Sequence, residues 1–220
     1  MSKLFRLSLA KDVWAQGFLF GLTVLLSFGS ASAQVTALGR QLDRLDLGVG
    51  GTYTLTKSVS GTNYLSDPVN LSASSTLGAL VQIRYTKSPL LGLEFNYTYA
   101  RYTQQFSVAP GGVQANASEY SLGYLAHLPN IFGVQPFAAV GAGATAITPT
   151  KLGGQGGLYE RARATYYYDI GVDDQFSKYF GVRAQFRQTF YKAPDFGANY
   201  LTINQQTFTS EPSVGFYVKF

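Results

Sequence analysis

The chain has 220 residues, no cysteine, a single histidine and a formal net charge of +5. Without cysteine there is no disulfide framework, no thiol metal site and no lipobox for a lipid anchor, and so mild a charge argues against nucleic acid as a partner. The chain carries 16 Tyr, 16 Phe and 24 Gly beside 13% charged residues, which points to strands and turns. Periodicity must then separate a soluble sandwich from a membrane barrel.

Residues 1–33 read as a secretory signal peptide. Lys3, Arg6 and Lys11 form a positive start, Gly17 to Phe28 is an apolar run too short to span a bilayer comfortably, and Ala31-Ser32-Ala33 offers the small residues that a signal peptidase accepts. Removing Lys3, Arg6, Lys11 and Asp12 lowers the charge to +3. Residues 34–44 are expected to be a short periplasmic lead-in, and 45–220 a single barrel domain. No other stretch carries the roughly 20 apolar residues that a membrane helix needs.

From Leu45 onward eight segments alternate between apolar and polar positions, the pattern of strands with one face in lipid and one in a polar lumen. The first sets Leu45, Leu47, Val49, Tyr53 and Leu55 against Asp46, Gly48, Thr52 and Thr54. The second sets Leu77, Val81, Ile83 and Tyr85 against Gln82, Arg84 and Thr86, with Leu80 as an apolar exception. The third sets Leu93, Phe95, Tyr97 and Tyr99 against Glu94, Asn96 and Thr98, and it has no large apolar residue on the lumen phase. The fourth sets Tyr120, Leu122, Tyr124 and Ala126 against Glu119, Ser121, Gly123 and His127, broken only by Leu125.

The fifth, Val134 to Ala146, has small residues on both faces and Pro136 near its start; its preferred phase puts Val134, Ala138, Val140 and Ala142 outside and Gly141 and Gly143 inside. The sixth sets Tyr166, Tyr168, Ile170 and Val172 against Arg163, Thr165, Tyr167 and Asp169. The seventh sets Phe180, Val182, Ala184 and Phe186 against Arg183, Gln185 and Arg187. The eighth sets Val214, Phe216, Val218 and Phe220 against Ser213, Gly215, Tyr217 and Lys219.

Three short connections (Lys87 to Leu91, Pro129 to Gly133, Asp174 to Lys178) alternate with four long polar ones, roughly Lys57 to Ser75, Gln104 to Ser118, Thr148 to Glu160 and Ala193 to Gln206. The expected fold is an all-β, eight-stranded antiparallel up-and-down transmembrane barrel with short periplasmic turns and long extracellular loops. A soluble lipocalin-like barrel would put its apolar residues inside, the reverse of this pattern.

The last strand, Ser213 to Phe220, resembles the C-terminal signal read by the outer-membrane assembly machinery, with Ser213, Gly215, Val218 and Phe220 at the matching positions. The pattern over Leu45 to Phe220 resembles the small outer-membrane barrels of the OmpA, OmpX and opacity-protein type. That resemblance implies the bacterial outer membrane as location, and outer-membrane lipids, lipopolysaccharide and the assembly machinery as partners. It identifies an architecture and no activity.

Eight strands enclose an interior that side chains can fill. The inward charges are Asp46, Arg84, Glu94, Glu119, Arg163, Asp169, Arg183, Arg187, Glu211 and Lys219, of both signs. Distance from the short turns suggests Arg84 with Glu94, Asp169 with Arg183, and Asp46 with Lys219. Such pairs would close the lumen as a salt-bridged plug; the same charges could instead be the solvated lining of a narrow pore.

His127 faces the lumen near a periplasmic turn. A barrel enzyme that deacylates lipid A needs a His, Ser and carboxylate cluster on the outer wall near the outer leaflet, so a lumen histidine argues against an enzyme. One His and no Cys give no metal spacing, no glycine cluster (Gly48 to Gly51, Gly141 to Gly143, Gly153 to Gly157) lies in a strand-to-helix unit, and no cofactor is expected. Tyr97, Tyr99, Tyr120, Tyr166 and Tyr168 read as an interfacial girdle, and Arg101 as a cation at headgroup height.

The expected role is therefore structural or surface-interacting, with an extracellular ligand taken through the loops. A narrow passive pore for small or apolar solutes and a lipid A-modifying enzyme stand as the alternatives.

Overall fold

The computed structural model describes residues 35–150 and 157–220. The expected signal peptide and most of the glycine run at 153–157 lie outside the described residues. Within the expected lead-in is one eight-residue helix, α1 (Val35–Leu42), with Arg40 in its last turn. A basic residue there complements the negative end of the helix dipole.

The second unit, Asp43–Phe220, is the barrel. Its strands are β1 (Leu45–Thr56), β2 (Val59–Thr62), β3 (Pro68–Ala73), β4 (Thr76–Thr86), β5 (Leu91–Phe106), β6 (Ala109–His127), β7 (Gln135–Pro149), β8 (Arg161–Asp174), β9 (Phe180–Lys192) and β10 (Gln206–Lys219). Eight of them close the barrel, each antiparallel to its neighbours, with β1 against β10 and β5 against β6 completing the circle. Closure leaves no unpaired edge in hydrocarbon, where an unsatisfied backbone group costs several kcal/mol.

One register path shows how the strands tilt. Asp46 leads through Arg84, Glu94, Gly123, Gly141, Tyr167, Thr189 and Thr209 back to β1, at Thr56, ten residues higher. That stagger fixes the width of the barrel and places register partners at different heights along its axis.

The alternation expected from sequence is the burial pattern found. In β1, Asp46, Thr52 and Thr54 are buried while Leu47, Val49, Tyr53 and Leu55 face out, and in β7 Phe137 and Ala139 are inside while Val140 faces out. Leu80 and Leu125, the two apolar exceptions, are buried in the lumen.

Two long connections differ from expectation. The first holds the β2–β3 hairpin, which pairs with the outer end of β5 through Leu71 and Phe106. The second, expected as a loop over Gln104 to Ser118, is the continuation of β5 and β6, which stay in register from Ala100 and Ala117 up to Gln104 and Val113. Its polar residues resemble loop composition, but apart from the inward Gln104 they include Gln105, Gln114, Asn116 and Ser118 on the outward side of strands that have left the membrane.

Above the membrane the inward side chains become apolar. Val59, Val69, Leu71, Phe106, Val113, Ala115, Ile147, Phe196, Leu201 and Ile203 form one buried cluster across the extracellular mouth. Burying each large apolar side chain stabilises this cap by about 1.5–3 kcal/mol. The last loop reaches the cluster by a sharp bend in which Phe196 and Gly197 both take positive φ, 50° and 78°, and Phe196 packs edge-on against Phe106. Asn63 ties the hairpin to this loop: its Oδ1 accepts from the backbone N–H of Leu65 and Asp67, and its Nδ2 donates to the Tyr200 carbonyl at 3.3 Å.

Candidate functional site

The lumen is the candidate site, and its side chains pack in layers. At the periplasmic end Arg183 holds two carboxylates, with Nε and Nη2 donating to Asp173 at 2.7 and 3.0 Å and Nη2 to Asp46 at 3.2 Å. Arg84 pairs with Glu94 at 2.9 Å and lies 3.6 Å from Asp173. The Arg84 guanidinium also stacks 4.0 Å above the Phe137 ring, and Arg183 lies 4.8 Å from the Tyr217 ring.

A neutral layer follows. Gln82 donates to Asn96 Oδ1 at 2.8 Å, Asn96 Nδ2 donates to Glu94 at 2.9 Å and to Tyr167 at 3.1 Å, and the Tyr167 hydroxyl donates to Glu94 at 2.9 Å.

The upper layer centres on Arg187, which donates to Glu119, to Ser121 Oγ at 2.7 Å and to Thr98 Oγ1 at 3.0 Å, with Glu211 at 3.9 Å. Its guanidinium stacks 4.2 Å from the Tyr167 ring. Hydroxyl pairs sit above it, Thr145 with Thr165 at 2.6 Å and Tyr191 with Thr209 at 2.9 Å.

Small residues on the lumen phase make this filling possible. A Cβ added at Gly141 would lie 2.5 Å from Tyr167 Cε1, and one at Gly171 2.5 Å from Phe137 Cζ, so each glycine leaves the space that a ring from another strand occupies. Two voids beside these side chains are about 10 and 20 Å³, each about room for one water.

Seven of the ten inward charges expected from sequence (Asp46, Arg84, Glu94, Glu119, Arg183, Arg187 and Glu211) meet in the lower and upper layers, and of the three expected pairs one forms and two do not. Arg84 faces Glu94 in register and binds it. Asp169 does not pair with Arg183. The β8–β9 register is centred on Lys178 and not on Phe176, because Gln175 donates to the carbonyls of Ser177 and Lys178 and widens the turn, so Asp169 faces Arg187 and Asp173 faces Arg183. Asp46 and Lys219 are register partners, but Arg183 takes Asp46 while Lys219 donates to Gln175 at the mouth. Arg163 is at the extracellular end, 2.9 Å from Asp195 of the last loop.

These placements change the charge balance. Arg163 and Lys219 leave the sealed interior, and Asp173, which the sixth alternating segment stopped one residue short of, joins it. Among the described residues the buried lumen then holds three guanidiniums (Arg84, Arg183, Arg187) and six carboxylates (Asp46, Glu94, Glu119, Asp169, Asp173, Glu211). Asp169 is wholly buried, and neither of its oxygens has a hydrogen-bond partner. Continuing the β8 alternation by one step would have found Asp173. The alternation puts Phe137 and Tyr217 on the lumen phase, but no sequence signal marks them as platforms for Arg84 and Arg183.

His127 is buried at the periplasmic end of β6, edge-on to Phe137 at 6.4 Å, with Nδ1 unpartnered. Beneath it lies a polar vestibule of about 360 Å³. On the outer wall Tyr97 packs on Tyr120, and Tyr168, Phe190 and Phe208 form a stacked run with Lys57 5.3 Å from the Phe208 ring. Arg101 is exposed, with Nε donating to Asn116 at 2.7 Å. In the final strand, a Cβ at Gly215 would lie 2.5 Å from the Val49 carbonyl oxygen, so β10 and β1 close tightly at Gly215 and Gly50.

The model of the outer membrane protein beta-barrel domain family matches residues 21–220. Among solved structures, the chain is similar to OprG from Pseudomonas aeruginosa, at 12% identity over 80% of this chain and 95% of that one with a TM-score of 0.60. It is also similar to the Neisserial surface protein NspA, at 15% identity over 80% of this chain and 97% of that one with a TM-score of 0.52. At such identities the likeness shows the fold alone. No curated protein matches the chain. With its closed antiparallel barrel and family match, this chain belongs to the outer-membrane β-barrel family and is a transmembrane protein of the bacterial outer membrane.

Proposed function

We propose that this barrel is closed to solutes and acts at the cell surface, as a membrane-embedded base for a folded extracellular cap. One observation carries the reading: inward side chains fill the section at successive heights, and voids found between them are only about 10 and 20 Å³. A solute on the barrel axis would have to part both the Arg183 and the Arg187 ion-pair layers and then the apolar cluster above them. Breaking one such buried pair costs about 3–5 kcal/mol.

The cap offers the surface for an extracellular partner. Tyr64 and Leu65 at the hairpin tip are 78% and 67% exposed, and Tyr159 in the third loop is 68% exposed. Such aromatics on a rigid base are the usual anchors of recognition. Liposomes carrying the protein should not swell in isotonic solutions of small sugars; swelling at the rate of an open porin overturns the closed reading in favour of the narrow pore.

The same reading is non-enzymatic. The one histidine of the chain is inside the lumen at the periplasmic end, far from outer-leaflet lipid, so His127→Ala should leave the lipid A mass profile unchanged. A changed profile would instead make the barrel a lipid-modifying enzyme.

Export by residues 1–33 and assembly through Ser213, Gly215, Val218 and Phe220 belong to this proposal. So does contact with outer-leaflet lipopolysaccharide through Lys57 and Arg101, above the aromatic run. Replacing both by Gln should reduce copurifying lipopolysaccharide severalfold, and an unchanged amount would remove that contact.

A further inference from the structure

The vestibule beneath the lower ion-pair layer has a charge pattern that the closed lumen does not need. It is formed by the start of β1, the β4–β5 turn and the ends of β6, β8 and β10, and it encloses about 360 Å³. That volume is within the range of small-molecule sites.

Three cations line it, Arg44, Lys87 and Lys219, against one rim carboxylate, Asp43. None of the three cations has a carboxylate within ion-pair distance among the described residues; Lys219 donates to Gln175 at 3.0 Å and Arg44 to the Tyr85 hydroxyl at 3.4 Å. Both carboxylates of the floor, Asp46 and Asp173, are held by Arg183, and Arg84, itself paired with Glu94, lies 3.6 Å from Asp173.

With Arg183 counted once against the two floor carboxylates, the three rim cations and Asp43 leave the vestibule positive by one. At its inner wall is an unpaired polar atom: His127 is 6% exposed and its Nδ1 has no partner. A buried group left in that state is unfavourable, and a ligand acceptor would relieve it.

We propose that this vestibule binds a small anion, a carboxylate or a phosphate ester, from the periplasmic side. Lys87, Lys219 and Arg44 supply the field and the outer hydrogen bonds, and His127, in the tautomer carrying its proton on Nδ1, donates from the inner wall. A cationic ligand would meet the three rim cations first and floor carboxylates already held by Arg183. The site lies below the sealed layers, so it stands or falls independently of whether the lumen conducts.

The single histidine makes the test direct, because its side-chain nitrogen resonances need no assignment in a tag-free, ¹⁵N-histidine-labelled protein. The protein in lipid nanodiscs is titrated with inorganic phosphate and, separately, with succinate, at constant ionic strength against chloride. The expected result is a saturable His127 shift with phosphate or succinate and none with chloride; the more effective of the two identifies the headgroup.

The K87Q/K219Q double variant should weaken that binding at least tenfold while keeping the heat-modifiable folded band on an unboiled gel. Both residues are at the rim and outside the ion-pair layers, so the fold does not depend on them. An equal shift with chloride, no shift with either anion, or unchanged affinity in the folded double variant overturns the proposal. If that variant loses the folded band, K87Q and K219Q are titrated singly, and undiminished affinity in both overturns it.

Discussion

The barrel has two interiors built by the same strands. Within the membrane the inward positions of β5, β6 and β7 hold Glu94, Asn96, Glu119, Ser121 and Phe137; a few residues further along the same phase they hold Phe106, Val113, Ala115 and Ile147. The switch follows the solvent outside. Where lipid covers the outer face, apolar side chains go outward and polar ones turn in. Where water covers it, the ordinary hydrophobic effect returns and the apolar side chains turn in.

The two interiors differ in kind as well as composition. The lumen is held by paired charges whose loss is costly in an enclosed low-dielectric space, while the cap is a small dispersion-packed core. Perturbing one should therefore leave the other measurably intact.

The largest effect is expected in the lumen. Arg187→Ala leaves Glu119 and Glu211 buried without their cation and should cost about 3–5 kcal/mol, read as a fall in the heat-modifiability midpoint of the whole barrel. If that midpoint does not move, the ion-pair layer is not what holds the lumen.

Phe196→Ala removes a wholly buried ring from the cap, a change worth about 3–5 kcal/mol in a well-packed core. Its effect should be confined: protease cleavage in the last loop should accelerate while the barrel midpoint stays at the wild-type value. A drop in both together would mean one cooperative interior, not two.

Gly171→Ala should cost about 1–3 kcal/mol, since the new methyl would lie 2.5 Å from Phe137 Cζ and 2.6 Å from the Ala184 carbonyl oxygen of the paired strand. Denaturant titration of the refolded barrel in lipid reads it, and an unchanged midpoint would show that Phe137 is free to move.

The smallest effect has the opposite sign. Asp169→Asn removes an unpartnered carboxylate at nearly constant volume from an interior with six carboxylates and three guanidiniums, and should raise stability by about 1 kcal/mol. A destabilised variant would mean that Asp169 has a favourable role that its missing hydrogen bonds conceal.

The membrane interior was legible in the sequence and the cap was not, for one physical reason. Period-two alternation with apolar residues outward is a consistent signal only while lipid is the outer solvent. Past Tyr99 the outward residues of β5 become Arg101, Thr103 and Gln105, and the mixture of polar residues with Gly111 and Gly112 reads as a loop although the hydrogen-bond ladder continues. Eight of the ten expected inward charges are buried in the lumen, because phase alone places them; Arg163 and Lys219 lie at the ends of their strands, and Asp173 is one step past the end of the sixth segment.

Their partners needed the true centre of each turn. At Pro89 counting outward sufficed, and Arg84 meets Glu94; at the β8–β9 turn the centre lies two residues later, which moves each partner by four and exchanges Arg183 for Arg187 opposite Asp169. Side chains from non-adjacent strands, such as Tyr167 reaching Glu94, depend on the curvature of the closed barrel, which no single-strand pattern encodes.

The central claim is that the lumen is sealed by its own side chains. Single-channel recording across a planar bilayer tests it most directly: the wild-type barrel should show no stable open level, and Arg187→Ala should add at most brief small openings. A large, long-lived conductance from the wild-type protein would contradict the account.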